Sequence, residues 1–320
     1  MAQIDISDSA MAGVKLAVRR PLTVLVWGVL LVGYVVVLLT LFGGGIVAAI
    51  TSLVRTPQSA ATPGVILGLV GGLFGFIALM WLGLTVLGAV VMGAALRAEL
   101  EPEKKSFASL RLGGQELWLI GVNFVLGVVI FVAQMVMGLP LAVITAAMAF
   151  ATLGSTHGTG PNAIVGAMAG TVGIRIIGQL VIWAVTVWLW CRLCLGPVMS
   201  FRERQFRLFE SWTITKGHAW PIFLSLLLVS LMLFALYMLV YILGGAAVIG
   251  TAFSIPGITD PQAFFSRPLG DWIGLFAPAA AFLAVLFVGV AGVANAMVWT
   301  TIARIYRQLD PSVDVAATFA

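Results

Sequence analysis

Residues Arg192–Pro221 read RLCLGPVMSFRERQFRLFESWTITKGHAWP, a short basic and amphipathic stretch set between two long apolar runs. A comparable phrase follows the apolar run that ends near Arg97: Pro102, Lys104 and Lys105, then SFASLRLGG, then a new apolar run from Leu117. A third version, DSAMAGVKLAVRRP, leads into the first apolar run. Apolar runs of this length, separated by basic connectors, predict an all-α integral membrane protein.

Composition points the same way. The chain has 320 residues, 61% hydrophobic and only 9% charged, with a mean hydropathy of +1.12. Soluble domains carry roughly a quarter charged residues, so this chain lacks the polar surface of a water-soluble globule. Its net charge of +5 does not argue for nucleic acid, because the basic residues sit between apolar runs. They read as topology signals and as contacts with anionic lipid heads.

Six apolar stretches are expected to span, at about 22–50, 64–96, 117–153, 163–200, 219–251 and 273–303, within a single membrane domain over 1–320. Each exceeds the roughly 20 residues that cross about 30 Å of hydrocarbon. Residues 1–20 are expected to form an interfacial helix, with Met11, Val14 and Val18 on one face and Asp8 or Ser9 as its N-cap. Residues 304–320 read as a tail. Asp5 and Asp8 at the start, and the length of the first run, argue against a cleavable signal peptide. Pro140 and Pro278 are expected kink sites, and Gly43-Gly44-Gly45 is expected to loosen the end of span one.

Basic residues fall on one side of this plan. Lys15, Arg19 and Arg20, then Arg97, Lys104, Lys105 and Arg111, then Arg192, Arg202, Arg204, Arg207 and Lys216, then Arg304 and Arg307 precede odd spans or follow even ones. The other side holds Arg55 and Arg267, plus Arg175 if it leans that way. Positive charge is retained inside, which predicts a bacterial inner-membrane protein with both termini cytoplasmic. Trp27, Trp118, Trp220 and Trp272 lie near span ends, where interfacial aromatics are expected.

Each even-numbered span leaves through arginine and then proline: Arg97 and Pro102, Arg192 and Pro197, Arg304 and Pro311. With Ser106-Phe107 before Arg111 and Ser211-Trp212 before Lys216, this suggests an interfacial helix plus a helical hairpin, used three times in parallel. Any positive-inside protein would also show basic loops at every second turn, so that alternative stands beside it.

Chemistry-bearing residues are sparse. All twelve acidic residues lie outside the expected spans, which weighs against a carrier coupled to protons or cations through a carboxylate. Glu99, Glu101 and Glu103 beside Lys104 and Lys105 read as a solvated charge run. Cys191 and Cys194 have C-x-x-C spacing without a soluble strand-to-helix context, and read as small apolar residues. No phosphate-cradling loop or H-E-x-x-H occurs, and no metal or cofactor is expected. Asn123, Arg175, Gln179 and Asn295 lie inside spans, either bonding between helices or forming a polar pocket for a lipid head or peptide. Gly68 and Gly72, Gly71 and Gly75, and Gly166 and Gly170 have the spacing that lets helix backbones approach.

The best functional candidates are on the third basic segment. Phe209 and Trp212 are placed to enter lipid, and Arg204, Arg207 and Lys216 to reach phosphates; plain anchoring of the hairpins explains the same residues. Within the segment, Ser211, Trp212, Thr215, Lys216, Gly217 and Trp220 form a pattern that resembles the bacterial six-span proteins similar to the membrane domain of glycerophosphoryl diester phosphodiesterases. That resemblance implies an all-helical inner-membrane fold. It does not imply phosphodiesterase activity, since the soluble catalytic domain of some relatives is absent from this sequence. The expected function is thus non-enzymatic: contact with anionic membrane lipid, or support of a protein partner in the membrane. A permease-type subunit whose ATPase is a separate chain is the alternative.

Overall fold

The computed structural model describes residues 4–55, 63–101, 107–110, 113–155, 161–254 and 269–310. Among them helix dominates and no strand occurs. The helices are α1 (Ile6–Arg19), α2 (Pro21–Arg55), α3 (Pro63–Leu100), α4 (Gly114–Ser155), α5 (Pro161–Leu193), α6 (Gly196–Glu203), α7 (Ser211–Ile214), α8 (Ala219–Phe253) and α9 (Leu269–Leu309). Six of these, α2, α3, α4, α5, α8 and α9, are long and apolar enough to cross a membrane. The protein is an all-α, multi-pass membrane protein.

These six helices have 33 to 42 residues. At 1.5 Å per residue they run roughly 50–63 Å, well beyond the hydrocarbon thickness. Large apolar side chains such as Leu41, Phe74, Val136 and Val285 stand exposed along them. In water such surface would drive aggregation; in lipid it is the solvated face. Pro140 and Pro278 lie inside continuous α4 and α9. Helix α2 also runs unbroken through Gly43–Gly45, and α9 takes in residues 304–309 that the sequence assigned to the tail.

Two compact units are present, residues 1–116 with 224–320, and residues 117–223. In the first, α1, α2, α3 and α9 pack around Leu16, Val24, Trp27, Val91, Ala94, Ala95, Ala98 and Ala296. Four of the eight are alanine, so backbones come close and dispersion contacts are dense. Trp27 is fully buried here and donates its indole N–H to the Ala108 carbonyl at 2.9 Å. It is a core residue, not the interfacial aromatic its position suggested; Trp118 and Trp220 are exposed.

Helix α1 belongs to this core. Asp5, rather than Asp8 or Ser9, is its N-cap, accepting from the Asp8 amide at 3.0 Å. Its buried residues are Ser9, Ala10, Ala12, Gly13 and Leu16, while Met11 and Val18 face outward. The small residues dock because α9 lies against them: Thr301 donates to the Ser9 carbonyl at 3.0 Å, and a Cβ on Gly13 would overlap the Met297 backbone. The Asp5 amide donates to Gln308, so the two ends of the described chain meet.

Ion pairs fasten the same junction. Arg304 donates to Asp8 at 2.8 Å and to Glu99 at 3.2 Å, and Lys15 also reaches Asp8 at 2.8 Å. Glu99 therefore belongs to a junction between helices, not to a solvated charge run. Lys104, Lys105, Arg111, His157 and Arg267 lie outside the described residues. The Lys15 hydrogen bond first, and then that of Arg304, holds the Asp8 carboxyl below the usual carboxylate range. A lowered folded-state pKa means stability that is complete above the unfolded value of about 3.9 and is lost as pH falls through the folded value. Amide exchange in α1, corrected for its intrinsic pH dependence, should lose protection in acid before that in α2 and α9 does. Simultaneous loss would contradict the assignment.

In the second unit, Val122, Leu126, Leu193 and Leu208 form the buried cluster, with Val125, Val129, Ile130 and Trp190 packed on it.

Candidate functional site

The segment after α5 is built to close that helix. The Ser211 hydroxyl donates to the Arg192 carbonyl at 2.8 Å, satisfying an acceptor that a helix C-terminus leaves open, and the Thr215 hydroxyl donates to the Ser211 carbonyl at 2.8 Å. The Arg192 guanidinium lies over the rings of Trp188 and Trp212, at 5.9 and 5.4 Å from their centroids. Those two indoles meet edge to face at 5.0 Å. Gly217, at φ +85°, makes the turn into α8 in a conformation that side chains disfavour. Trp220 stands exposed and stacks on Phe223. The Ser-Trp-x-x-Thr-Lys-Gly-x-x-Trp pattern thus has a local physical reason at five of its six positions.

Lys216, the sixth, is exposed and forms no ion pair among the described residues; Arg204 is likewise exposed and unpaired. Arg204 sits at φ 55° and terminates α6. Arg207 differs. Its guanidinium bridges Glu203 and Glu210, each at 2.6 Å, and its amide donates to Ser200. Two carboxylates around one cation leave that spot no net positive charge to offer a phosphate. Phe209 is exposed and rests against Phe206, and Trp212 shows its outer edge. Exposed aromatics and the exposed cations Arg204 and Lys216 thus lie on one short stretch of chain.

The intramembrane polar residues separate. Arg175 and Gln179 line one cleft of about 500 Å³ in the second unit, together with Gly138, Leu141, Thr145 and Thr171. Asn123 is not among its lining residues. Asn295, in the first unit, bonds within α9, donating to the Ala291 carbonyl and accepting from the Trp299 indole. Cys191 and Cys194 are free and buried, and among the described residues no group of His, Cys, Asp or Glu is arranged to hold a metal.

A feature that sequence reasoning missed is the task shared by three arginines that leave even-numbered spans. Arg97 donates to the Ser109 carbonyl, Arg192 sits under Trp212, and Arg304 donates to Asp8. Each engages a segment that leads into an odd-numbered span. The segments themselves differ: a 14-residue helix before α2, a short 3-10 turn (Phe107–Ser109) within the described part before α4, and two short helices before α8. The sequence signal was available as the Arg-then-Pro recurrence, but spacing alone does not say what an arginine touches.

Searches of protein-family models, curated proteins and solved structures find no match to this chain.

Proposed function

We propose that the chain is a non-enzymatic protein of a bacterial inner membrane, with both termini cytoplasmic, that engages anionic lipid heads through its third basic segment. The observation that carries this reading is the pairing of exposed Arg204 and Lys216 with exposed Phe209 and Trp212 on one short stretch. Such a surface suits the membrane boundary, where rings enter the acyl edge and cations meet phosphates. The one-sided distribution of Lys and Arg supports the orientation. The kinship with membrane domains of glycerophosphoryl diester phosphodiesterases is proposed on the Ser211–Trp220 pattern, its weaker copy at Ser106 to Gly113 and the six-span layout.

Each unpaired cation near an anionic surface contributes about 1 kcal/mol, roughly fivefold in affinity. In nanodiscs that mix phosphatidylglycerol with phosphatidylcholine, native mass spectrometry should show the protein retaining the anionic lipid preferentially. Combined Arg204→Ala and Lys216→Ala should cut that preference by roughly tenfold or more. An unchanged preference would remove lipid contact from this segment and leave only its role in closing α5.

A further inference from the structure

A second cationic feature lies in the first unit, at residues the reading above does not use. A cleft of about 260 Å³ opens where α1, the end of α3 and the end of α9 converge. Its basic lining residues are Lys15, Arg19, Arg20, Arg304 and Arg307, and its acidic ones are Asp8 and Glu99. Among the described lining residues, five cations face two carboxylates, an excess of three positive charges. Both carboxylates are already committed: Asp8 to Lys15 and Arg304, and Glu99 to Arg304 at 3.2 Å, with Arg307 at 3.9 Å. Arg19 and Arg20 are exposed and form no ion pair among the described residues.

We propose that this cleft binds a phosphate group, with Arg19 and Arg20 as its principal ligands and Lys15 and the α9 arginines supplying the field. Guanidinium forks match phosphate oxygens two at a time, and an anion relieves the mutual repulsion of cations held together by the fold. The volume falls just short of the roughly 300 Å³ at which small-molecule pockets begin, so it suits a head group rather than an extended ligand. Ala12, Leu16 and Ala98 give the cleft an apolar wall, and Pro21 begins the first spanning helix directly after Arg20. That places the arginines where a spanning helix meets its polar flank, the level of lipid phosphates. The shared chemistry fits either a phospholipid head or free phosphate.

The test uses the full chain in phosphatidylcholine nanodiscs doped with photoactivatable phosphatidylglycerol, with crosslinked peptides mapped by mass spectrometry. A parallel arm follows thermal unfolding with added inorganic phosphate and no anionic lipid. Crosslinks to α1 and the end of α9 that fall at least tenfold in Arg19→Gln/Arg20→Gln, and are retained in Arg19→Lys/Arg20→Lys, support the proposal with lipid as the source. Absence of those crosslinks, together with a phosphate-dependent rise in Tm that the Gln pair abolishes, supports it with free phosphate as the source. The proposal is overturned if neither probe acts on the wild-type protein, or if the Gln pair leaves the responses unchanged. Because the wild-type arm alone can reject it, a poorly folding variant does not protect it. Crosslinks at residues 204–216 report separately on the third basic segment.

Discussion

Replacing Glu116 with Ala is expected to lower the unfolding free energy by about 3–5 kcal/mol, the loss that follows when one partner of a buried ion pair is removed. Arg97, at 6% exposure, and Glu116, at 1%, pair with each other in the first unit. Neither has water to fall back on. The pair also organises a turn. Arg97 donates to the Ser109 carbonyl at 2.6 Å, and Glu116 accepts from the Gly113 amide at 2.8 Å. Ala108 and Ser109 both sit at positive φ, 48° and 56°, a conformation that side chains disfavour by roughly 1–2 kcal/mol per residue. The Arg97 and Trp27 hydrogen bonds hold that turn in place. Denaturation of the purified protein, followed through loss of helicity, gives the measurement. The double variant Arg97→Met/Glu116→Leu separates the effects, because it leaves no unpaired charge but still strips the Ser109 carbonyl and Gly113 amide of their partners. It should recover most of the loss and not all of it. A double variant as damaged as Glu116→Ala would sink this account.

The sequence made the six spans legible because hydropathy integrates over some twenty residues and needs no knowledge of neighbours. Details that depend on which face meets which were not legible. In α2, α3 and α8 almost every position is apolar, so no period marks the packed side. Trp27 looked interfacial from its place near a span end, yet the Ala108 carbonyl that buries it lies 81 residues away. Glu99 looked solvated among other charges, because Arg304 is remote in sequence. In α1 the sequence showed the apolar face of Met11, Val14 and Val18 expected at an interface, but not that the glycine and alanines on the other side would pack against α9. At the candidate segment the residue types were readable as cation and aromatic. Which cation is free was not readable, since Arg207 is neutralised by carboxylates three and four residues away while Arg204 is not.

Glycine gives the sharpest contrast between spacing and contact, and with it the second large effect. Gly28 of α2 and Gly292 of α9 face each other's helices so closely that a Cβ on Gly28 would overlap the Val288 carbonyl, and one on Gly292 the Val24 carbonyl. The obstacle in both cases is backbone, which cannot rotate aside as a side chain does. Gly28→Leu or Gly292→Leu should therefore push α2 from α9, at a loss of at least the 1–3 kcal/mol typical of overpacking. The added side chain also withdraws dispersion contacts over the neighbouring turns, and in lipid those contacts hold helices together. Gly72 and Gly75 provide the control, since nothing lies within 4 Å of the Cβ position at either. Gly72→Leu and Gly75→Leu should stay within about 0.5 kcal/mol of the wild type, with extra helix propensity acting in their favour. Four-residue spacing drew attention to that open stripe, whereas the close crossing rests on two glycines 264 positions apart. Thermal unfolding of the four variants in one lipid composition decides the matter: equal shifts for all four would mean that helix propensity or lipid solvation, rather than contact between α2 and α9, governs these positions.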